Sequence, residues 1–199
     1  MSEAEIRLAT RDDAEAIAEI YRPYVEETAI TFELEPPTAE EIRERIEKKL
    51  VDYPWLVCEH EGRVVGYAYA GAVRTREAYQ WSVESSVYVA ESAHRNGVAR
   101  GLYESLFALL DLQGYLNVYA VVTLPNPGSV ALHEAFGFEH DARFEKMGYK
   151  SGAWHDVGWW SLSLGEHPEA PSPPTSLATA REHDEWTERL HRGEDSVRL

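Results

Sequence analysis

The sequence predicts one mixed α/β sheet, mostly antiparallel, with helices packed on both of its faces, and three observations predict it. Hydrophobic spacing switches repeatedly between a helical period and a strand period along residues 6–164. Two pairs of apolar runs are divided by the tight-turn dipeptides Glu61-Gly62 and Ser151-Gly152, the mark of hairpins. One run, NVYAVVTL at 117–124, is apolar throughout, as expected of a strand in the middle of a sheet.

The elements follow in order. IRLA (6–9) is a short strand, and Thr10 caps a helix whose first turn holds Asp12 and Asp13. Ala14, Ile17, Ala18, Ile20 and Tyr21 keep helical spacing up to Pro23, where the pattern ends. A second helix starts after Pro36-Pro37, with Thr38 and Glu41 as a capping box and Ile42, Ile46 and Leu50 on its buried face. WLVCEHEGRVVGYAYAGAV (55–73) reads as a hairpin and residues 79–90 as the next strand. A basic turn, HRNGVARG, opens a helix with Leu102, Leu106, Leu109 and Leu110 on its core side. After the strand 117–124 comes a short helix over 129–136, stopped by Gly137. RFEKMGYKSGAWHDVGWWSLSL (143–164) closes the sheet as a hairpin.

Beyond Leu164 the composition changes. The chain divides into a domain over 1–165, a Pro-rich linker over 166–178 and an acidic tail over 179–199. A short helix over 179–193 has only Trp186 and Leu190 as apolar anchors, so it is marginal unless docked on the domain or on a second copy.

The net charge is -16, and of 19 basic residues only four are lysine. A field of that sign repels nucleic-acid phosphates and anionic membranes. Residues 166–199 hold eight acids and four bases, leaving 27 acids and 15 bases on the first 165, so the charge is spread rather than gathered in the tail. Such a surface fits adaptation to high salt, where self-repulsion is screened, and equally an ordinary acidic cytosolic protein. The lone Cys58 and an acidic start without an apolar run, MSEAEIRLATRDD, fit a reducing cytoplasm. Cys58 lies in the apolar run PWLVCEH and reads as an inert buried thiol.

Chemistry concentrates between residues 84 and 138. Arg95, Asn96, Gly97, Val98, Ala99 and Arg100 form a turn into a helix, whose free N–H groups and dipole bind phosphate oxygens. Gly97 and Ala99 leave that backbone uncovered, and Arg95 and Arg100 add positive charge. Turns of this kind also cap ordinary helices; the strand before it and Asn126 after the next strand give it weight.

HRNGVA resembles the pyrophosphate-binding loop, Q/R-x-x-G-x-G/A, of the GNAT N-acetyltransferases, with His94 where Gln or Arg is usual. Asn126-x-x-Ser129-x-x-x-His133-x-x-x-Gly137-Phe138 resembles the second half of that family's site. AYQWSVESSVYV, LPNPGSVALHEAFGF and GAWHDVGWW are similar to the phosphinothricin and methionine sulfoximine N-acetyltransferases in particular. The likeness covers nearly all of 6–164, including PWLV and AYAG, and stops short of the tail. It implies the GNAT fold, acetyl-CoA as co-substrate and a homodimer.

By position, the resemblance makes Glu84 the general base that frees the amine, directly or through water, with Trp81 and Tyr88 around it. Spacing alone would leave it a surface carboxylate on an edge strand. His133 stands where many relatives carry a tyrosine that protonates the leaving thiolate, and Tyr88 is the other candidate for that role. Val87, Tyr88 and Val89 would run along pantetheine, one N–H polarising the thioester carbonyl, while Asn126 and Ser129 would hydrogen-bond the cofactor. Arg74 and Arg76 would hold the anionic end of the substrate, with Tyr79 and Trp81 as an apolar wall; otherwise they are solvated loop arginines.

Other groups carry less. His155 and Asp156 are strand neighbours and point to opposite faces, and the eight histidines and one cysteine show no zinc spacing, so no metal is expected. Trp154, Trp159 and Trp160 read as packing in the core or at an interface.

The sequence therefore predicts an acetyl-CoA-dependent N-acetyltransferase acting on the α-amine of a small acidic amino acid or analogue within a ternary complex. One rival is a protein or peptide N-terminal acetyltransferase, which Arg74 and Arg76 disfavour because they suit a free carboxylate. Another is a non-catalytic acyl-CoA-binding module, which an intact Glu84 and His133 disfavour.

Overall fold

Glu61 and Gly62 both take left-handed backbone conformations, with φ of 50° and 74°. A two-residue turn of that hand matches the twist of the strands it joins. It closes β2 (Trp55–His60) on β3 (Arg63–Ala72), paired from Trp55↔Tyr69 to His60↔Arg63. Ser151 and Gly152 repeat the device between β6 (Glu139–Lys150) and β7 (Ala153–Ser163). With β1 (Glu5–Leu8), β4 (Ser82–Val89) and β5 (Asn117–Leu124) these strands form one seven-stranded sheet, ordered β1-β2-β3-β4-β5-β7-β6. The computed structural model describes residues 4–199; the reading of the N-terminal stretch as free of an apolar run partly concerns residues 1–3, outside them.

Neighbouring strands are antiparallel except β4 and β5, which run parallel because α3 (Val98–Gln113) carries the chain back between them. This pair is bonded only over Ser82–Glu84 and Asn117–Tyr119. Past Glu84 and Tyr119 the strands part, and the sheet opens as a wedge.

β2 shows why its sequence is apolar without a break. Trp55 and Val57 pack with Ile17, Ile20 and Tyr21 of α1 (Ala14–Glu27) and Ile42 and Ile46 of α2 (Ala39–Lys49). Leu56 and Cys58 meet Leu102, Leu106, Leu109 and Leu110 of α3 on the other face. Helices thus cover both sides of a mixed α/β sheet. Cys58 is wholly buried, and desolvation pushes its thiol up to about 12, which leaves it unreactive.

Several boundaries differ from the sequence reading: β6 begins at Glu139 rather than at 143, and the tail forms two short helices, 177–180 and 186–190, in place of one over 179–193. α1 passes through Pro23 and ends at Glu27, because Pro23 is exposed while Val25 beyond it is buried and anchors the last turn. Residues 77–79 form a 3-10 turn, so the strand expected from Tyr79 begins at Ser82. α4 (Pro127–Ala135) starts two residues early: the Asn126 side chain accepts the Ser129 N–H at 3.1 Å, and Pro127 takes the first position, where no N–H is needed.

After Ser163 the chain stays on the domain. The Trp81 indole donates to the Ser172 carbonyl and the Thr175 N–H to the Gln113 carbonyl, each at 2.8 Å. α5 (Leu177–Ala180) and α6 (Trp186–Leu190) then lie along α3, with Leu177, Ala180 and Trp186 buried in its core cluster. Gly193 N–H donates to Ser105 Oγ (3.1 Å), Ser196 Oγ to Glu104 (2.6 Å) and Arg198 N–H to the Asn96 carbonyl (2.8 Å). Among the described residues, no helix is long and apolar enough to cross a membrane.

Candidate active site

The cleft starts at the turn before α3. Arg95 (φ 65°) and Gly97 (φ 78°) are both left-handed, and a Cβ added at Gly97 would collide with the Ser196 carbonyl. The first α-helical bond runs from Gly101 N–H to the Gly97 carbonyl at 2.9 Å. The N–H groups of Val98, Ala99 and Arg100 therefore have no partner within the helix and face out of its end. They border a groove of about 490 Å³, whose other walls include Tyr24, Val87, His94 and Ser129. Its free N–H groups, glycine-bared turn and apolar length suit a pyrophosphate followed by a pantetheine arm.

His94 has a definite task in this turn. Its Nε2 lies 3.0 Å from both the Tyr24 hydroxyl and the Val89 carbonyl, and that hydroxyl also donates to Val89 at 2.7 Å. The imidazole fastens the turn to the end of β4. Arg95 and Arg100 are exposed, and Arg100 is paired with Glu104 at 2.9 Å.

The wedge between β4 and β5 forms the middle of the cleft. A gap of about 60 Å³ is lined by Ser85–Tyr88, Ala120–Thr123, Tyr103 and His133, and it shares Tyr88, Asn126 and Ser129 with the groove. His133 is only 4% exposed, and its Nδ1 lies 2.7 Å from the Ser129 carbonyl, which requires a proton there. Nε2 then accepts from the Tyr103 hydroxyl, 3.2 Å away, and the Ser85 hydroxyl approaches Tyr103 at 3.5 Å. Burial holds His133 below its ordinary pKa, so the ring is neutral in this chain of contacts. Desolvation raises the phenols of Tyr103 and Tyr88, which keep their protons. Tyr88 is edge-on to Tyr21 and Tyr24, with centroids 4.8 and 5.1 Å away, and stacks on Tyr67.

Beyond the gap, across Ser86, lies a second cavity of about 240 Å³. Glu84 lines it, with Arg45 and Lys49 of α2 and the rings of Tyr21, Trp55 and Tyr69. Desolvation raises the Glu84 pKa, opposed by the charges of Lys49 and Arg74. Burial lowers that of Lys49, opposed by Glu84. The Lys49 ammonium stands 4.9 Å from the centroid of Tyr69 and over Gly71, the residue paired with Glu84 across β3 and β4. A side chain at Gly71 would run into it. Arg45 is held by Glu33 through two bonds of 2.7 and 3.1 Å.

Glu84, Ser86 and Tyr88 thus meet along one strand, with the groove residues 87–100, Asn126 and Ser129 continuing the same cleft. Arg74, Arg76 and Tyr79 are exposed and line none of the three spaces. Arg74 is near enough for its charge to act on Glu84, and its guanidinium lies 5.8 Å from the Trp159 ring. Sequence reasoning missed Arg45, Lys49 and Tyr103. Arg45 and Lys49 are four residues apart, beside the buried Ile42 and Ile46, and Lys49 is one of only four lysines. Tyr103 had no signal beyond a hydroxyl on an apolar helix face. His155 and Asp156 bond elsewhere, to the Lys150 carbonyl and to Arg143 and the Lys146 N–H.

Residues 6–159 match the Acetyltransferase (GNAT) domain. The chain is 44% identical over 170 residues to the phosphinothricin N-acetyltransferase of Streptomyces viridochromogenes, spanning 85% of this chain and 91% of that one. It is 33% identical to the L-methionine sulfoximine/L-methionine sulfone acetyltransferase of Salmonella typhimurium, over 81% of this chain and 95% of the other. Among solved structures, a GNAT superfamily phosphinothricin acetyltransferase from Sinorhizobium meliloti in complex with AcCoA superposes with a TM-score of 0.81 at 34% identity, over 88% of this chain and 98% of that one.

Proposed function

Because the chain belongs to the GNAT acetyltransferase family, we propose that it uses acetyl-CoA to acetylate the α-amine of a small acidic amino acid or analogue. The phosphinothricin and methionine sulfoximine types, named for its relatives, are the model substrates. Transfer is direct, within a ternary complex. The position of Glu84 carries this reading: it stands where β4 and β5 part, between the cation-lined cavity and the gap that leads to the groove.

An amino acid arrives as an ammonium, which cannot attack a thioester. Glu84 takes a proton from it, directly or through one water, and the freed lone pair attacks the thioester carbonyl carbon in the gap. A backbone N–H of Val87–Val89 steadies the developing oxyanion. The carbon–sulfur bond then breaks, the sulfur takes a proton from Tyr88, whose phenol burial keeps protonated, and the new amide nitrogen gives up its surplus proton to restore that phenol. His133, with both ring nitrogens engaged, holds Tyr103 against the gap. Arg74 and Arg76 receive the α-carboxylate at the mouth, with Tyr79 as an apolar wall.

Glu84→Gln tests the base. Turnover with phosphinothricin should fall by about 10²–10⁴ while acetyl-CoA affinity holds. The base must be ionised and its pKa is raised, so the wild-type rate should fall on the acid side with a midpoint above the ordinary carboxylate range. The variant should lose that limb. An unchanged rate at saturating substrate would defeat the assignment.

The same reading includes a homodimer. Phe144 (49% exposed), Met147 (55%), Tyr149 (57%) and Trp154 (61%) leave apolar surface bare on the β6–β7 hairpin, which a second copy would cover. Light scattering at micromolar concentration should give twice the 22.6 kDa chain mass; a monomer would remove this part of the proposal.

A further inference from the structure

Lys49 is placed where packing alone gives no reason for a cation. Its half-buried ammonium enters the 240 Å³ cavity, and no carboxylate of the described residues lies within ion-pair distance of it. Arg45, beside it, is already matched by Glu33. An unpaired charge held in a half-buried place is costly to keep, and an apolar residue at position 49 would fill it at less cost. A ligand anion relieves that deficit.

The cavity also carries one acid, Glu84, so its field is dipolar: carboxylate on β4, ammonium on α2. That suits a molecule with an amine at one end and an anion at the other. Its volume of about 240 Å³ admits an amino-acid side chain.

We propose that Lys49 is a specificity-determining residue that pairs with an anionic group at the side-chain end of the substrate. Glu84 then takes the amine proton, and Arg74 meets the α-carboxylate at the mouth. This rests on the acetyltransferase reading above and narrows it. The preferred substrates carry an acidic side chain, a phosphinate or carboxylate, over a neutral sulfoximine or sulfone. Lys49→Met removes the charge the side chain meets; because it also raises the Glu84 pKa further, rates are compared on the alkaline plateau, where the base is ionised in every variant.

Steady-state rates with phosphinothricin and with methionine sulfone, for wild type, Lys49→Met and Lys49→Arg, test this. Wild type should favour phosphinothricin. Lys49→Met should lower kcat/KM for phosphinothricin about 10- to 100-fold, chiefly through KM, and change methionine sulfone by less than about threefold. Lys49→Arg, which keeps the charge and guards against a folding defect, should recover part of the preference. Equal losses on both substrates would overturn the inference, since Lys49 would then act through Glu84 or through the fold. No change on either would overturn it as well. Wild type that acetylates neither amine would instead sink the acetyltransferase substrate reading, a result distinct from wild-type turnover with an unchanged preference in Lys49→Met.

Discussion

The groove at the start of α3 and the cavity beside Glu84 open on the same strand, yet they draw on different parts of the chain. The groove offers backbone: N–H groups of residues 98–100, laid bare by Gly97 and set within a few residues of β4. The cavity offers long side chains, Arg45 and Lys49, brought from α2 across the sheet to face Glu84. A backbone site keeps its donors when side chains change. A side-chain site can be retuned by one substitution, so in the proposed reaction the cofactor end of the cleft is the conservative one and the amine end the adjustable one.

This contrast breaks most sharply at Gly97. Gly97→Val should lower stability by about 2–3 kcal/mol, from a left-handed position and a collision with the Ser196 carbonyl, and Tm by several degrees. It should also raise the acetyl-CoA Kd at least about tenfold, because the turn must shift. Calorimetry and a thermal melt read both, and an unaltered Kd would mean that the turn is not the phosphate site. The Lys49 exchange described above is next in size and should leave acetyl-CoA affinity alone. The smallest effect is expected at His94. If the donors there are backbone, His94→Gln should change the KM for acetyl-CoA by less than about threefold. A larger loss would show that fastening the turn to Tyr24 and Val89 matters as much as the N–H groups themselves.

The same contrast explains what could be read from the sequence. Glu61-Gly62, Ser151-Gly152, the Thr38 capping box and the apolar 117–124 each depend on neighbours in the chain, so local pattern was enough to place them. HRNGVA was legible for the same reason. Lys49 was not, because its meaning comes from Glu84 and Gly71, which only the sheet register brings beneath it. Tyr103 was hidden by its setting among leucines, and its partner His133 had a motif but no visible neighbour. Pro23 misled because a helix end was inferred from a missing donor, while the packing of Val25 decided the matter. Arg74, Arg76 and Tyr79 were easy to see in sequence and stand at the rim rather than within the cavity.

The segment at 193–198 holds the first half of α3 from outside, with Gly193 on Ser105 and Ser196 on Glu104. In synthesis these braces appear 88 and 92 residues after the groups they hold. A nascent chain can therefore form its sheet and the cavity beside Glu84 while the turn before α3, the proposed phosphate site, still lacks its outer support. Competence to bind acetyl-CoA tightly is expected to trail the acquisition of the fold, so a ribosome-bound intermediate would be native in its strands before it is native at its cofactor.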